Sequence, residues 1–269
     1  MKTKIETVII DENYDGLKKD GSWYEFDGNL HICGNVVINI NLTVNGEQYI
    51  DGSITVNGSQ IVYGNQFVKG SQDVHGWQTI TGNQTVNGLQ YINGNQYIGG
   101  YQVIGCVQFI KGSQYVNGYQ EIIGNNQTIN GYQKIIGNQE INGSQEIKGY
   151  QTIVGHQIIN KHQIVHGIQI IEYYQKVKGG QTVHNKQIVH GNQIIGVYQY
   201  IEHCQVINGN QSIKGNQTVN DKQTVNGYQI IDGKQEVTDF QKITNTVSWL
   251  QKFKTFIKCW VKLPKYLKI

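Results

Sequence analysis

Arginine and alanine are missing from this chain of 269 residues, and proline occurs once, at Pro264. Without arginine the chain lacks the planar, bidentate fork that phosphate-binding surfaces favour. Up to Thr244, 16 lysines face 19 acidic residues, a net charge of −3. Nucleic acid is therefore not an expected partner. Cysteine is scarce and scattered: Cys33, Cys106, Cys204 and Cys259 form no Cys-x-x-Cys pair. Their spacing signals neither a zinc site nor a disulfide framework, and free thiols fit a reducing compartment. No apolar run reaches the length of a membrane span, and MKTKIETVIIDENYDG at the N-terminus lacks the apolar core of a secretory signal. A cytoplasmic protein with no cofactor is the expectation.

What the chain has in abundance is one six-residue unit, Gly-x-Gln-x-Val/Ile-x, seen in GNQTVN from Gly82 to Asn87. It recurs 36 times from Gly28 to Thr244, with a single extra residue at Asn125/Asn126. The fifth position is Val or Ile in all 36 copies, the third is Gln in 32 and the first is Gly in 27. Self-similarity at so short a period predicts a solenoid of stacked coils. The extra residue is read either as a bulge that re-aims a side chain or as slack that the coil absorbs.

Inside and outside follow from strand geometry. In an extended segment the third and fifth residues share one face and the fourth points away. The third position holds Leu30, Val36, Leu42 and Ile54 in early hexads and Gln elsewhere, so the site that accepts all of these faces inward. A buried amide without partners costs about 1–3 kcal/mol. Identical glutamines stacked about 4.8 Å apart can instead hydrogen-bond up and down a ladder. Replacing a glutamine such as Gln145 would orphan the amides on either side of it. Glycine marks the corners, where positive φ or close approach is needed.

Two hexads per coil would give a flat 12-residue turn, and three a triangular 18-residue turn. Outward aromatics pair at 18: Tyr49/Phe67, Tyr91/Phe109, Tyr97/Tyr115, Tyr101/Tyr119 and Tyr132/Tyr150. Glycine is also lost at that spacing, at Asn185, His203, Asp221 and Asp239. A two-hexad spacing appears too, in the glycine losses at Lys161, Tyr173, Asn185 and Val197 and in the alternating charges of Glu121, Lys134 and Glu146. The balance predicts three hexads per coil, about 12 coils, and a rod about 58 Å long.

The ends do not repeat. Residues 1–27 read as an N-terminal cap with strands at Lys4–Ile10 and Ser22–Phe26, residues 28–244 as the solenoid, and residues 245–269 as a basic amphipathic helix and tail. In that tail Trp249, Phe253, Phe256 and Trp260 fall on one helical face, while Lys254, Lys258 and Lys262 fill the other. Such a helix either covers the core of the last coil or lies on an anionic membrane.

An 18-residue three-sided coil with an aliphatic residue every six resembles the hexapeptide-repeat left-handed β-helix, a family that includes acyltransferases and gamma-class carbonic anhydrases. The resemblance covers Gly28 to Thr244. It departs from the family at the third position, where Gln replaces the usual small residue. The chain is more loosely similar to bactofilin-like polymer-forming proteins, whose β-helices are right-handed and assemble into filaments. The first resemblance implies a left-handed coil. An acyltransferase would add a catalytic His beside a projecting loop, and a carbonic anhydrase three zinc-binding His across a subunit interface.

No loop projects from the repeat, and no motif for nucleophilic or phosphoryl chemistry occurs. His166 and His184, 18 residues apart, can approach to about 5 Å on adjacent coils, a separation at which two imidazoles could share a metal. The remaining candidates are outward rows that mark an interaction surface: Ile170, Ile188 and Val206, with Ile158, Ile164 and Ile194 expected near them, and the aromatic pairs Tyr91/Phe109 and Tyr97/Tyr115. Three functions remain open. The first is a structural rod that self-associates, with no enzymatic activity. The second is a module that binds glycans or a membrane through the aromatic rows or the basic tail. The third is a hexapeptide-repeat enzyme. The regular, loop-free pattern favours the rod.

Overall fold

A computed structural model describes residues 7–10, 18–20, 23–26, 29–124 and 126–244. From Leu30 onward each hexad forms one strand of three or four residues followed by a bend. Pairing between strands fixes the coil. Gln66 lies beside Gln84 and Gln84 beside Gln102, in parallel and 18 residues apart, so three hexads make one turn. About twelve turns stack into three parallel sheets. A first face has 12 strands from Leu30–Ile32 to Gln229–Ile231; a second has 13 from Thr7–Ile10 to Gln235–Val237; a third has 14 from Lys18–Asp20 to Phe240–Ile243. Among the described residues there is no helix. The proposed C-terminal helix, including Trp249, Phe253, Phe256, Trp260, Lys254, Lys258 and Lys262, lies outside the described residues.

β-Branched side chains suit a strand packed against its copies, and those of the fifth position are fully buried from Ile38 to Val225. The third-position glutamines face inward beside them, at most 2% exposed from Gln48 to Gln223. Their amides form three ladders joined at the axis. Gln145 Nε2 donates to Oε1 of Gln127 on the coil below (2.7 Å) and to Gln133 Oε1 on the neighbouring face (3.1 Å). Its own Oε1 accepts from Gln151, Gln157 and Gln163 at 2.9, 3.2 and 2.8 Å. The two amide hydrogens thus go one down and one across, always toward the N-terminal end. Gln60 and Gln72, above Leu42 and Ile54, bond only across, while Gln48 follows three aliphatic inward sites, Leu30, Val36 and Leu42, and its Nε2 has no partner.

Corners solve a second hydrogen-bonding problem. A buried or half-buried N–H needs an acceptor, and the Asn or Ser common at the second position supplies one to the coil above. Tyr101 N–H donates to Asn83 Oδ1 (2.8 Å), and Leu89 N–H to Ser71 Oγ (3.1 Å). Glycine at the first position serves close approach rather than left-handed backbone. Gly94 N–H donates to Gly76 O at 2.9 Å, and a Cβ on Gly94 would sit 2.7 Å from that same oxygen. Where Val197 stands at an equivalent corner, the bond to Gly179 O is 3.3 Å, against the 2.8–3.2 Å found between glycines. Gly94→Ala is expected to destabilise the rod by about 1–3 kcal/mol through this crowding, read as a lower denaturation midpoint. Thr79→Ala, on the outer surface, should leave the midpoint within error.

The extra residue leaves the strand register intact. It falls between Gln120–Ile122 and Asn126–Ile129, on the coil above Cys106. Beyond it Gln127 still pairs with Gln108 and Ile129 with Ile110, so no strand is re-aimed.

At the other end Thr7–Ile10 extends the second face by pairing with Asn35–Ile38, and Trp23–Phe26 extends the third by pairing with Asn41–Val44. The strand Lys18–Asp20, antiparallel to Trp23–Phe26, has no apolar alternation that would announce it. Leu30–Ile32 is the terminal strand of the first face among the described residues.

Candidate interaction surface

Every fourth-position side chain points outward, so each face carries one vertical row. The third face gathers Ile61, Thr79, Tyr97, Tyr115, Lys134, Thr152, Ile170, Ile188, Val206 and Thr224 on ten successive coils. Tyr97/Tyr115 and Ile170/Ile188/Val206, separate rows in the sequence, are thus one stripe. It contains a single charge, Lys134, whose Nζ lies 5.7 Å above the Tyr115 ring. Along its margins stand the exposed rings of Tyr63, Trp77, Tyr132 and Tyr150. Trp77, Tyr97, Tyr115, Tyr132 and Lys134 line a shallow trough there.

Other predicted residues separate. Tyr91 and Phe109 lie on the second face, between Asp73 and Thr128. Ile164 is also on the second face, between Glu146 and Thr182. Ile158 and Ile194 sit on the first, divided by Lys176. These three isoleucines therefore do not adjoin Ile170, Ile188 and Val206 as the sequence led us to expect, because residues six apart lie on different faces.

The aromatic rows stack as cross-strand pairs. Tyr97/Tyr115 have ring centroids 5.1 Å apart with planes 4° from parallel, and Tyr91/Phe109, Tyr49/Phe67 and Tyr132/Tyr150 are similar. Stacking along the rod axis covers one ring with the next and turns ring edges toward solvent.

Titratable groups cluster elsewhere. His166 and His184 stack at 4.9 Å, but each imidazole is paired with its own carboxylate: His166 Nε2 with Glu146 Oε1 (3.2 Å), His184 Nδ1 with Glu202 Oε2 (3.0 Å). Those carboxylates lie on coils to opposite sides of the pair. On the first face, burial and the carboxylates of Glu121 and Glu140 push the Tyr119 hydroxyl up to about 12. Burial alone raises Tyr174. Burial, then a hydrogen bond to Asp221 Oδ2 (3.1 Å), raises the Cys204 thiol, which makes it a weak nucleophile.

A mixed cluster that spacing rules miss brings His31 and Cys33 of the first coil against Asp51 of the next. The signal available in sequence was His-x-Cys on outward positions, with an acid one coil after the Cys.

No protein-family model matches the chain, and no curated protein or solved structure matches it either.

Proposed function

We propose that this chain is a structural rod that associates laterally with copies of itself through the third face. The observation that carries the reading is the stripe from Ile61 to Thr224, ten coils with no acidic residue and one lysine. Over the same coils the row on the second face includes Asp73 and Glu146, and on the first Glu121 and Glu140; the third-face row meets charge again only beyond its two ends, at Glu25 and Lys242. Two copies meeting through the third face would bring few like charges together, whereas either other face would oppose carboxylates.

The strands of the stripe alone fall short of a stable contact, and the rings at its margins supply part of the difference. Nine steps of about 4.8 Å and strands about 10 Å wide give about 430 Å² per partner. A specific interface needs about 600 Å² or more per partner, and the marginal rings of Tyr63, Trp77, Tyr132 and Tyr150 extend the area toward it. The ring edges of the stacked tyrosines suit interdigitation with a second stripe. They suit a sugar platform less, since sugars pack on open ring faces and these faces cover one another.

Electron microscopy with sedimentation analysis tests the reading. The wild-type chain is expected to form paired or bundled rods, and Ile170→Lys/Ile188→Lys to disperse them into single rods. Ile158→Lys/Ile194→Lys, on the first face, should leave them intact. Wild-type monomers that float with anionic liposomes, and lose that binding without residues 246–269, would replace self-association with membrane binding through the tail.

A further inference from the structure

The N-terminal end of the first face carries a side-chain set that the rod does not use. His31 is the outward residue of Leu30–Ile32, Cys33 follows that strand, and Asp51 follows Gln48–Ile50 on the next coil. Cys33 Sγ lies 3.9 Å from His31 Nε2, and the same nitrogen lies 3.7 Å from Asp51 Oδ2. All three donor atoms fall within 4.8 Å of one another. We propose that His31, Cys33 and Asp51 bind one divalent cation of borderline softness, zinc above all.

Donor chemistry selects the class of ion. Calcium and magnesium take oxygen ligands, whereas a thiolate with an imidazole favours zinc and its neighbours in the transition series. Geometry agrees. Bonds of about 2.3 Å to sulfur and about 2.0–2.1 Å to nitrogen, at a tetrahedral angle, set a sulfur–nitrogen edge of about 3.6 Å and a nitrogen–oxygen edge of about 3.4 Å. The two edges at His31 exceed these by a few tenths of an ångström, and the sulfur–oxygen edge, bounded at 4.8 Å, must close by up to about 1 Å through rotation of the exposed Cys33 side chain.

Neighbouring groups already orient the ligands, as outer-shell partners do in metal sites. Tyr49 Oη donates to Asp51 Oδ1 at 3.3 Å, and Lys69 Nζ lies 3.7 Å from that same oxygen. Oδ1 is thereby engaged, and Oδ2 is the oxygen turned to His31. The His31 ring meets Tyr49 edge-on, with centroids 4.7 Å apart and planes at 87°, which holds the imidazole plane. His31 and Cys33 are exposed, so solvent can reach the ion and water can supply the fourth ligand. On binding, the Cys33 thiol loses its proton to solvent as the sulfur–metal bond forms. Thiolate and carboxylate then balance the charge of the cation. By contrast, the paired nitrogens of His166 and His184 are engaged with carboxylates on opposite sides and do not converge.

Cobalt(II) titration of the full-length chain tests the site, because a thiolate ligand gives a sulfur-to-cobalt charge-transfer band and a tetrahedral field gives intense d–d bands. The wild type is expected to bind one equivalent with both signatures, and zinc to displace them. Cys33→Ser should abolish the charge-transfer band. Asp51→Asn and His31→Gln should each weaken zinc binding about tenfold or more. Cys106→Ser, at another exposed thiol, should change nothing. Circular dichroism verifies that each variant keeps the solenoid. A wild type without the charge-transfer band, or a band that survives in Cys33→Ser, overturns the assignment.

Discussion

Gln145→Leu should destabilise the rod by about 3–5 kcal/mol even though leucine fits the position, as Leu30 and Leu42 show at equivalent inward sites. The penalty comes from the neighbours. Gln151, Gln157 and Gln163 each donate one amide hydrogen to Gln145 Oε1. Removing that oxygen leaves three buried N–H groups with nothing to bond, at about 1–3 kcal/mol each before relaxation. Gln127 and Gln133 lose one donor apiece but keep others. Gln48→Leu provides the contrast. It removes an acceptor from Gln60 and Gln66 but also removes a donor that is already unpaired. Its expected cost is clearly smaller, and Gln48→Leu simply starts the ladder one rung later. Denaturation midpoints followed by circular dichroism should separate the two variants. Equal losses would mean that the ladder contributes by volume alone.

Ile159→Ala should cost about 2–5 kcal/mol, whereas Ile158→Ala, one residue earlier, should cost less than about 1 kcal/mol. The two residues are chemically identical and adjacent, so only direction distinguishes them. Ile159 is fully buried against its copies on the coils above and below, while Ile158 is half-exposed on the first face between Glu140 and Lys176. Truncating Ile159 opens a cavity that neighbouring coils cannot close without breaking register. Reversed magnitudes would put the fourth position inside.

Much of this architecture was legible because one residue class changes while its place does not. Leu30, Val36, Leu42 and Ile54 stand where glutamine stands elsewhere, and only an inward site treats them as equivalent. The aromatic pairs at 18 indicated the coil correctly. Signals at two hexads did not, for a topological reason: Glu121, Lys134 and Glu146 lie on the first, third and second faces and are not neighbours in one row. The direction of the amide ladder and its bonds across faces were not legible, since they depend on how three inward side chains meet at the axis. Asn and Ser at the second position carry no signal in the sequence, and their acceptor role shows only once the N–H above them is placed. The outer surface was legible in part. Tyr97, Tyr115, Ile170, Ile188 and Val206 join into one stripe when the three faces are separated, and Tyr91 and Phe109 leave it. His31, Cys33 and Asp51 escaped because their proximity arises between coils, and no single window contains all three.

The chain is a rod because glutamine amides and aliphatic side chains share its interior, leaving interaction to the outer rows and the ends. Hydrogen exchange of the glutamine side-chain amides, measured by nuclear magnetic resonance, tests that claim most directly. Nε2 hydrogens from Gln60 to Gln223 should be protected like the backbone amides of the strands they belong to. Exchange at the rate of free glutamine would place those side chains in solvent and turn the rod inside out.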